Sequence, residues 1–85
     1  MDYTEILNTI LKAIVNNPDQ VRVTKTNDEL GVLLTADCAK EDMGLVIGQS
    51  GSHAKSIRTI MRAIGLKNKA RISFKINEPV TNNSI

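Results

Sequence analysis

Aromatic side chains are nearly missing from this chain: Tyr3 and Phe74 are the only two, and there is no tryptophan. Mechanisms that stack bases on a platform of aromatic rings are therefore disfavoured. Cys38 is the single cysteine, so no internal disulfide framework forms, which fits a reducing cytoplasm. One cysteine and one histidine, His53, make a zinc site implausible. No apolar run reaches the length of a membrane span. The N-terminus carries Asp2 and Glu5 and lacks the basic segment of a signal peptide. Paired carboxylates at useful spacing, a phosphate-binding lysine motif and a metal cluster are missing too, so the sequence does not read as an enzyme's. There is no internal repeat.

Acid is absent from one long stretch. Residues 48–77 carry seven basic side chains and no acidic one, whereas residues 1–47 carry eight acidic and four basic ones. The net charge of +2 over 85 residues conceals this division. Excess positive charge gathered downstream of one point presents a polyanion-binding surface. The plainer alternative is a set of solvated helix and strand faces.

That point is the segment Val46-Ile47-Gly48-Gln49-Ser50-Gly51-Ser52-His53. Its two glycines allow unusual backbone angles and close approach of a bulky ligand. It lies between two segments that both read as helices. A tight loop there exposes the N–H groups that open the second helix, and such groups bind anions. Gln49 and Ser50 add side-chain donors for phosphate or sugar. Either Leu45 or Ile47 belongs to the core, and Ile47 is the candidate apolar floor for a base.

The periodicity supplies the rest of the frame. Ile6, Leu7, Ile10, Leu11 and Ile14 recur at helical spacing, which predicts a helix over 3–15, capped by Asp2 or Thr4 and ended by Asn16–Asp19. Residues 21–26 predict an edge strand, Asn27–Glu29 a turn, and Gly31–Ala36 a more central strand. A short helix follows over 40–47, with Glu41 and Asp42 in its first turn, where the positive helix end favours acids. Gly44 inside it costs about 1 kcal/mol against alanine and suggests a close approach. Ser52–Ile64 predicts the second helix of the pair, with Ala54, Ile57, Met61 and Ile64 inward and Gly65 as its left-handed stop. Lys55, Arg58 and Arg62 form a basic ridge on another side. Residues 70–76 alternate cleanly, with Ile72, Phe74 and Ile76 inward. Residues 78–85 have no period and predict a disordered tail after a single domain over 1–77. Three helices packed on a three-stranded sheet make a two-layer α+β domain of order α-β-β-α-α-β.

This order and its central loop resemble the KH domain, a module whose G-x-x-G loop clamps about four backbone nucleotides. The leading helix and strand match the type II, prokaryotic arrangement. Glu41-Asp42-Met43-Gly44, Val46-Ile47-Gly48, Gly51, Ala54-Lys55 and Ile57-Arg58-Thr59 look like the signature of the small bacterial KhpA family. The resemblance spans about residues 3–77. It implies a cytoplasmic protein that binds single-stranded RNA, as a post-transcriptional regulator or RNA chaperone, without cofactor, metal or small-molecule substrate. The implied RNA-binding residues are Ile47, Gly48, Gln49, Ser50, Gly51, Ser52, His53, Lys55 and Arg58. It also implies a homodimer, or a heterodimer with a larger Jag-type KH protein. Three places depart from the usual pattern. Gln49-Ser50 stands where a basic pair is common, Ser52 where arginine is frequent, and His53 where an aliphatic residue is frequent. The loop is therefore uncharged, which leaves attraction to Lys55 and Arg58 and keeps open a second reading, a KH-fold interaction module with little RNA binding.

Overall fold

The computed structural model describes residues 2–77. The predicted tail at 78–85 lies outside the described residues. Helix α1 (Tyr3–Ile14) begins where Asp2 accepts a hydrogen bond from the Glu5 amide at 3.2 Å. That satisfies one of the donors a helix start leaves open. The α1 stripe buries Leu7 and Leu11, with Ile6, Ile10 and Ile14 packed beside them. Each fully buried leucine contributes roughly 2–3 kcal/mol of transfer free energy. The chain leaves α1 at Val15, and Pro18 opens a 3-10 turn over Pro18–Gln20.

Strands β1 (Arg22–Asp28) and β2 (Gly31–Asp37) form an antiparallel hairpin. Its turn is not at Asn27–Glu29 as the sequence predicts. Asn27 and Asp28 remain in β1, and the chain reverses over Glu29 and Leu30 alone. The Asp28 side chain explains the shift: its Oδ1 accepts from the Leu30 amide at 2.8 Å and the Gly31 amide at 3.1 Å. A carboxylate that satisfies two turn amides lets polar residues continue the ladder.

Strand β3 (Ile72–Ile76) lies parallel to β2, with Leu34 opposite Phe74, so the sheet order is β1-β2-β3 with β2 central. Ile72 and Phe74 are buried and Ile76 half-buried, while Ser73 and Lys75 are exposed, as the alternation predicts. Helix α2 (Met43–Ile47) follows a 3-10 turn at Lys40–Asp42, and α3 (Ser52–Lys67) follows the glycine loop. Helix α1 packs on β1, α3 on β3 and α2 on α3. One core joins Leu7, Leu11, Leu34, Val46, Ile57, Met61 and Phe74.

Two glycines differ from expectation. Gly65 is not the helix stop. It is buried inside α3, where a β-carbon would lie 2.6 Å from the Ala70 carbonyl oxygen. The helix ends later, through Lys69, which takes the left-handed conformation at φ 57°. The Ala70 amide bonds the Gly65 carbonyl at 2.7 Å and the Lys69 amide bonds the Leu66 carbonyl at 3.1 Å. That pair of bonds is a Schellman cap with lysine in the place glycine usually takes. Gly44 marks no close approach within the fold, because nothing lies within 4 Å of where its β-carbon would be.

Candidate nucleic-acid interface

The loop's shape comes from three successive departures from ordinary backbone. Gly48 sits at φ 78°, ψ 170°, Ser50 at φ 57°, ψ 27°, and Gly51 at φ 77°, ψ 14°. The left-handed Gly51 passes directly into right-handed Ser52 at the start of α3. The Gly51 amide donates to the Gly48 carbonyl at 3.1 Å and the Ser52 amide to the Gln49 carbonyl, so an anion at this turn is left the amides that these bonds do not use. No side chain caps the start of this 16-residue helix, so the positive end of its dipole is left for another partner. Gln49 and Ser50 are exposed at the tip.

His53 has a role inside the loop that the sequence does not disclose. Its Nδ1 lies 2.7 Å from the Leu45 carbonyl oxygen, across the loop in α2. A carbonyl only accepts, so Nδ1 carries the proton, and in the neutral ring Nε2 is an acceptor. The ring also packs over Gly48: a β-carbon there would fall 2.5 Å from the His53 Cγ and 2.7 Å from its backbone nitrogen. His53 thus braces the two helices. The expected phosphate contact is left to Nε2 in the protonated ring alone.

Beside the loop, α2, α3 and β3 enclose a shallow cleft of about 330 Å³, lined by Ile47, Ala54, Arg58, Phe74, Lys75 and Ile76. The structure therefore brings together Ile47 as apolar wall and Arg58 as cation. Lys55 is exposed on α3, as is Ser52. The Ser52 carbonyl accepts from Ser56 Oγ, so the first turn of α3 is internally bonded on that side. Phe74, Lys75 and Ile76 were missed as site residues. The signal for Lys75 was present, since it is an outward cation on the strand that closes the acid-free stretch 48–77. Lys55, Arg58 and Lys75 have no ion-pair partner among the described residues.

Asp42 positions α2 by a different route from the helix-dipole one. It is fully buried, and its Oδ2 accepts from the Asn17 amide at 2.9 Å and from Asn17 Nδ2 at 3.1 Å. The turn after α1 is thereby tied to the start of α2. Its Oδ1 is buried without a partner. Next to it, the Cys38 thiol donates to Met43 Sδ at 3.4 Å. Burial, then the Asp42 and Asp37 carboxylates, push the Cys38 thiol up from its ordinary range. Cys38 and His53 are each engaged elsewhere and form no thiol–imidazole pair. No group of three metal-ligating side chains occurs among the described residues, and no helix there is long and apolar enough to cross a membrane.

A helix, a hairpin, two helices joined by a glycine loop and a third strand parallel to the second define a KH domain. The family model described as "KhpA/KhpB, KH domain" matches residues 4–76, and the chain belongs to that family. Relatives named RNA-binding protein KhpA include that of Caldanaerobacter subterraneus, 42% identical over 72 residues, which are 85% of this chain and 96% of that one. The protein of that name from Clostridium acetobutylicum is 40% identical over 72 residues, 85% of this chain and 96% of its own. That of Listeria monocytogenes is 38% identical over 74 residues, 87% of this chain and 97% of its own. Among solved structures, Aquifex aeolicus Era superposes with a TM-score of 0.56 at 13% identity, over 89% of this chain and 31% of that one. That last likeness is of fold alone.

Proposed function

We propose that this protein binds single-stranded RNA, holding the backbone against the Gly48–Gly51 loop and the start of α3. The observation that carries the reading is the loop's backbone: left-handed Ser50 and Gly51 lead into an uncapped helix start, with unpaired Lys55 and Arg58 on the same helix. Backbone N–H groups fix the phosphates, and Lys55, Arg58 and Lys75 supply the long-range attraction. Ile47 floors the cleft into which bases turn. Ser52 and His53 complete the contact surface. RNA-binding relatives 38–42% identical to this chain support the same reading. In this role the protein acts by binding, not by catalysis, as a post-transcriptional regulator or RNA chaperone of the cytoplasm.

The neutral loop favours a second component. With no cation at Gln49 or Ser50, a single site binds weakly. Pairing with a second copy, or with a larger Jag-type KH protein, offsets this by linking two sites. Ile60, exposed on α3, is an apolar group available to such pairing.

The test is the double variant Gln49→Asp with Ser50→Asp. Aspartate tolerates the left-handed conformation of Ser50, so the fold should survive. The expected result is loss of measurable binding to single-stranded RNA at low salt with an unchanged circular dichroism spectrum. Unchanged affinity in that variant refutes the proposal.

A further inference from the structure

A second cleft lies further along the seam between α3 and β3. It measures about 670 Å³ and is lined chiefly by Arg62, Leu66, Lys69, Arg71, Ile72 and Ser73. Resting on the reading above, we infer that this cleft is an extension site for the same RNA strand, taking nucleotides beyond those held at the loop.

Charge is the first argument. Arg62, Lys69 and Arg71 are exposed around the cleft, no acidic side chain lines it, and none of the three has an ion-pair partner among the described residues. Three unneutralised cations around one depression call for a polyanion.

Continuity is the second. Arg58 of the first cleft and Arg62 of the second are one turn apart on α3, and Ser73 and Phe74, one in each cleft, are consecutive on β3. A strand leaving the loop along Arg58 passes directly to Arg62. Leu66, 72% exposed, offers the apolar surface that a base needs in a protein with so few aromatic rings, above a floor closed by the largely buried Ile72.

The backbone of Lys69 is the third. The cap of α3 places this residue at φ 57°, where glycine is the usual occupant. A lysine kept in that conformation carries a backbone cost and sets a cation at the rim of the cleft. Such an outlier points to use of its side chain. Arg71 is fixed in turn, because its carbonyl accepts from the Val32 amide at 2.8 Å.

The experiment compares oligouridylates of about four nucleotides, the span one KH loop holds, and about ten. It uses the wild-type protein, the loop double variant above, and the triple variant Arg62→Gln, Lys69→Gly, Arg71→Gln. The readout is the slope of log affinity against log salt, since extra binding registers on the longer RNA change its intercept and not its slope. Three added phosphate contacts on a single strand steepen the slope by about 2, which is about twentyfold more affinity lost over a fourfold rise in salt. The expected result is this steepening for wild type on the longer RNA. The triple variant should bind the short RNA with the wild-type slope and show no steepening on the long one. Equal steepening in the triple variant overturns the extension site while leaving the loop reading intact. A triple variant unchanged in RNA binding but altered in oligomeric state assigns the cleft to a protein partner and also overturns it. If wild type binds neither RNA, or the loop double variant binds the short RNA as wild type does, the loop reading fails and takes the extension with it.

Discussion

The two glycines of the loop are not equivalent, and replacing each by alanine should separate them. Gly51→Ala puts a side chain at φ 77°, ψ 14°, with nothing within 4 Å of the new atom. Its cost is the left-handed backbone alone, about 1–2 kcal/mol. Gly48→Ala meets two penalties. Its φ 78°, ψ 170° belongs to a region that residues with a β-carbon essentially do not occupy, worth about 1–3 kcal/mol. The new atom also lies 2.7 Å from the His53 backbone nitrogen, which no rotamer change can move, and 2.5 Å from the ring Cγ. Displacing that ring forfeits the hydrogen bond to the Leu45 carbonyl, about 1 kcal/mol more. Together these give roughly 2–4 kcal/mol, a large share of the stability of a domain this small. Urea unfolding followed by far-ultraviolet circular dichroism measures both variants. At a slope of about 1–3 kcal/mol per molar urea, Gly48→Ala should unfold about 1 M earlier than Gly51→Ala. His53→Ala should lose only about 1 kcal/mol, the share of the single hydrogen bond. Equal midpoints for Gly48→Ala and Gly51→Ala would show that the His53 ring does not constrain the loop.

Two further outcomes test the surroundings of the site. Asp42→Ala removes the acceptor of both Asn17 donors and should cost about 2–4 kcal/mol in urea unfolding. Asp42→Asn keeps an acceptor, removes a buried charge with one unpartnered oxygen, and should stay within about 1 kcal/mol of wild type; equal losses in the two variants would refute the role given to Oδ2. Cys38 holds its proton more tightly folded than unfolded, so its contribution to stability is present at neutral pH and declines as pH rises past about 8.5. Iodoacetamide should accordingly alkylate it more slowly in the native protein than in urea, and Cys38→Ser should remove part of the alkaline loss.

What was legible from sequence is what local pattern dictates. The α1 stripe, the alternation of Ile72, Phe74 and Ile76, and the inward face of Ala54, Ile57 and Met61 all follow from residue spacing. The errors fall where a side chain acts on a backbone group that spacing does not reveal. Asp28 looked like a turn residue but is a strand residue that serves the turn. Gly65 looked like a stop because glycine commonly is one, whereas its missing β-carbon serves the close return of Ala70 and the stop fell to Lys69. Asp42 read as a helix-dipole acid because its partner, Asn17, is distant in sequence. The bond from exposed His53 to the Leu45 carbonyl was not legible, because nothing local identifies that carbonyl as its acceptor. The cleft was half-visible: α3 supplied Arg58 from the motif, but the β3 wall with Lys75 required knowing that the last strand lies beside that helix.

The parallel pairing of β2 with β3 has a consequence for the order of assembly. Parallel neighbours cannot be joined by a tight turn, so the chain must travel out and back between them, and the outgoing segment here is α2, the glycine loop and α3. The β1–β2 hairpin closes over two residues and is available early, whereas β3 must wait for the whole crossover to compact. The β3 wall of the cleft beside the loop is therefore completed only as the last strand docks. A ligand seated across α3 and β3 bridges the two ends of that late step. At a hundredfold excess over its dissociation constant it would add about 2.7 kcal/mol to native stability. Bound polymer should thus act as a clasp on the slowest-forming part of the molecule.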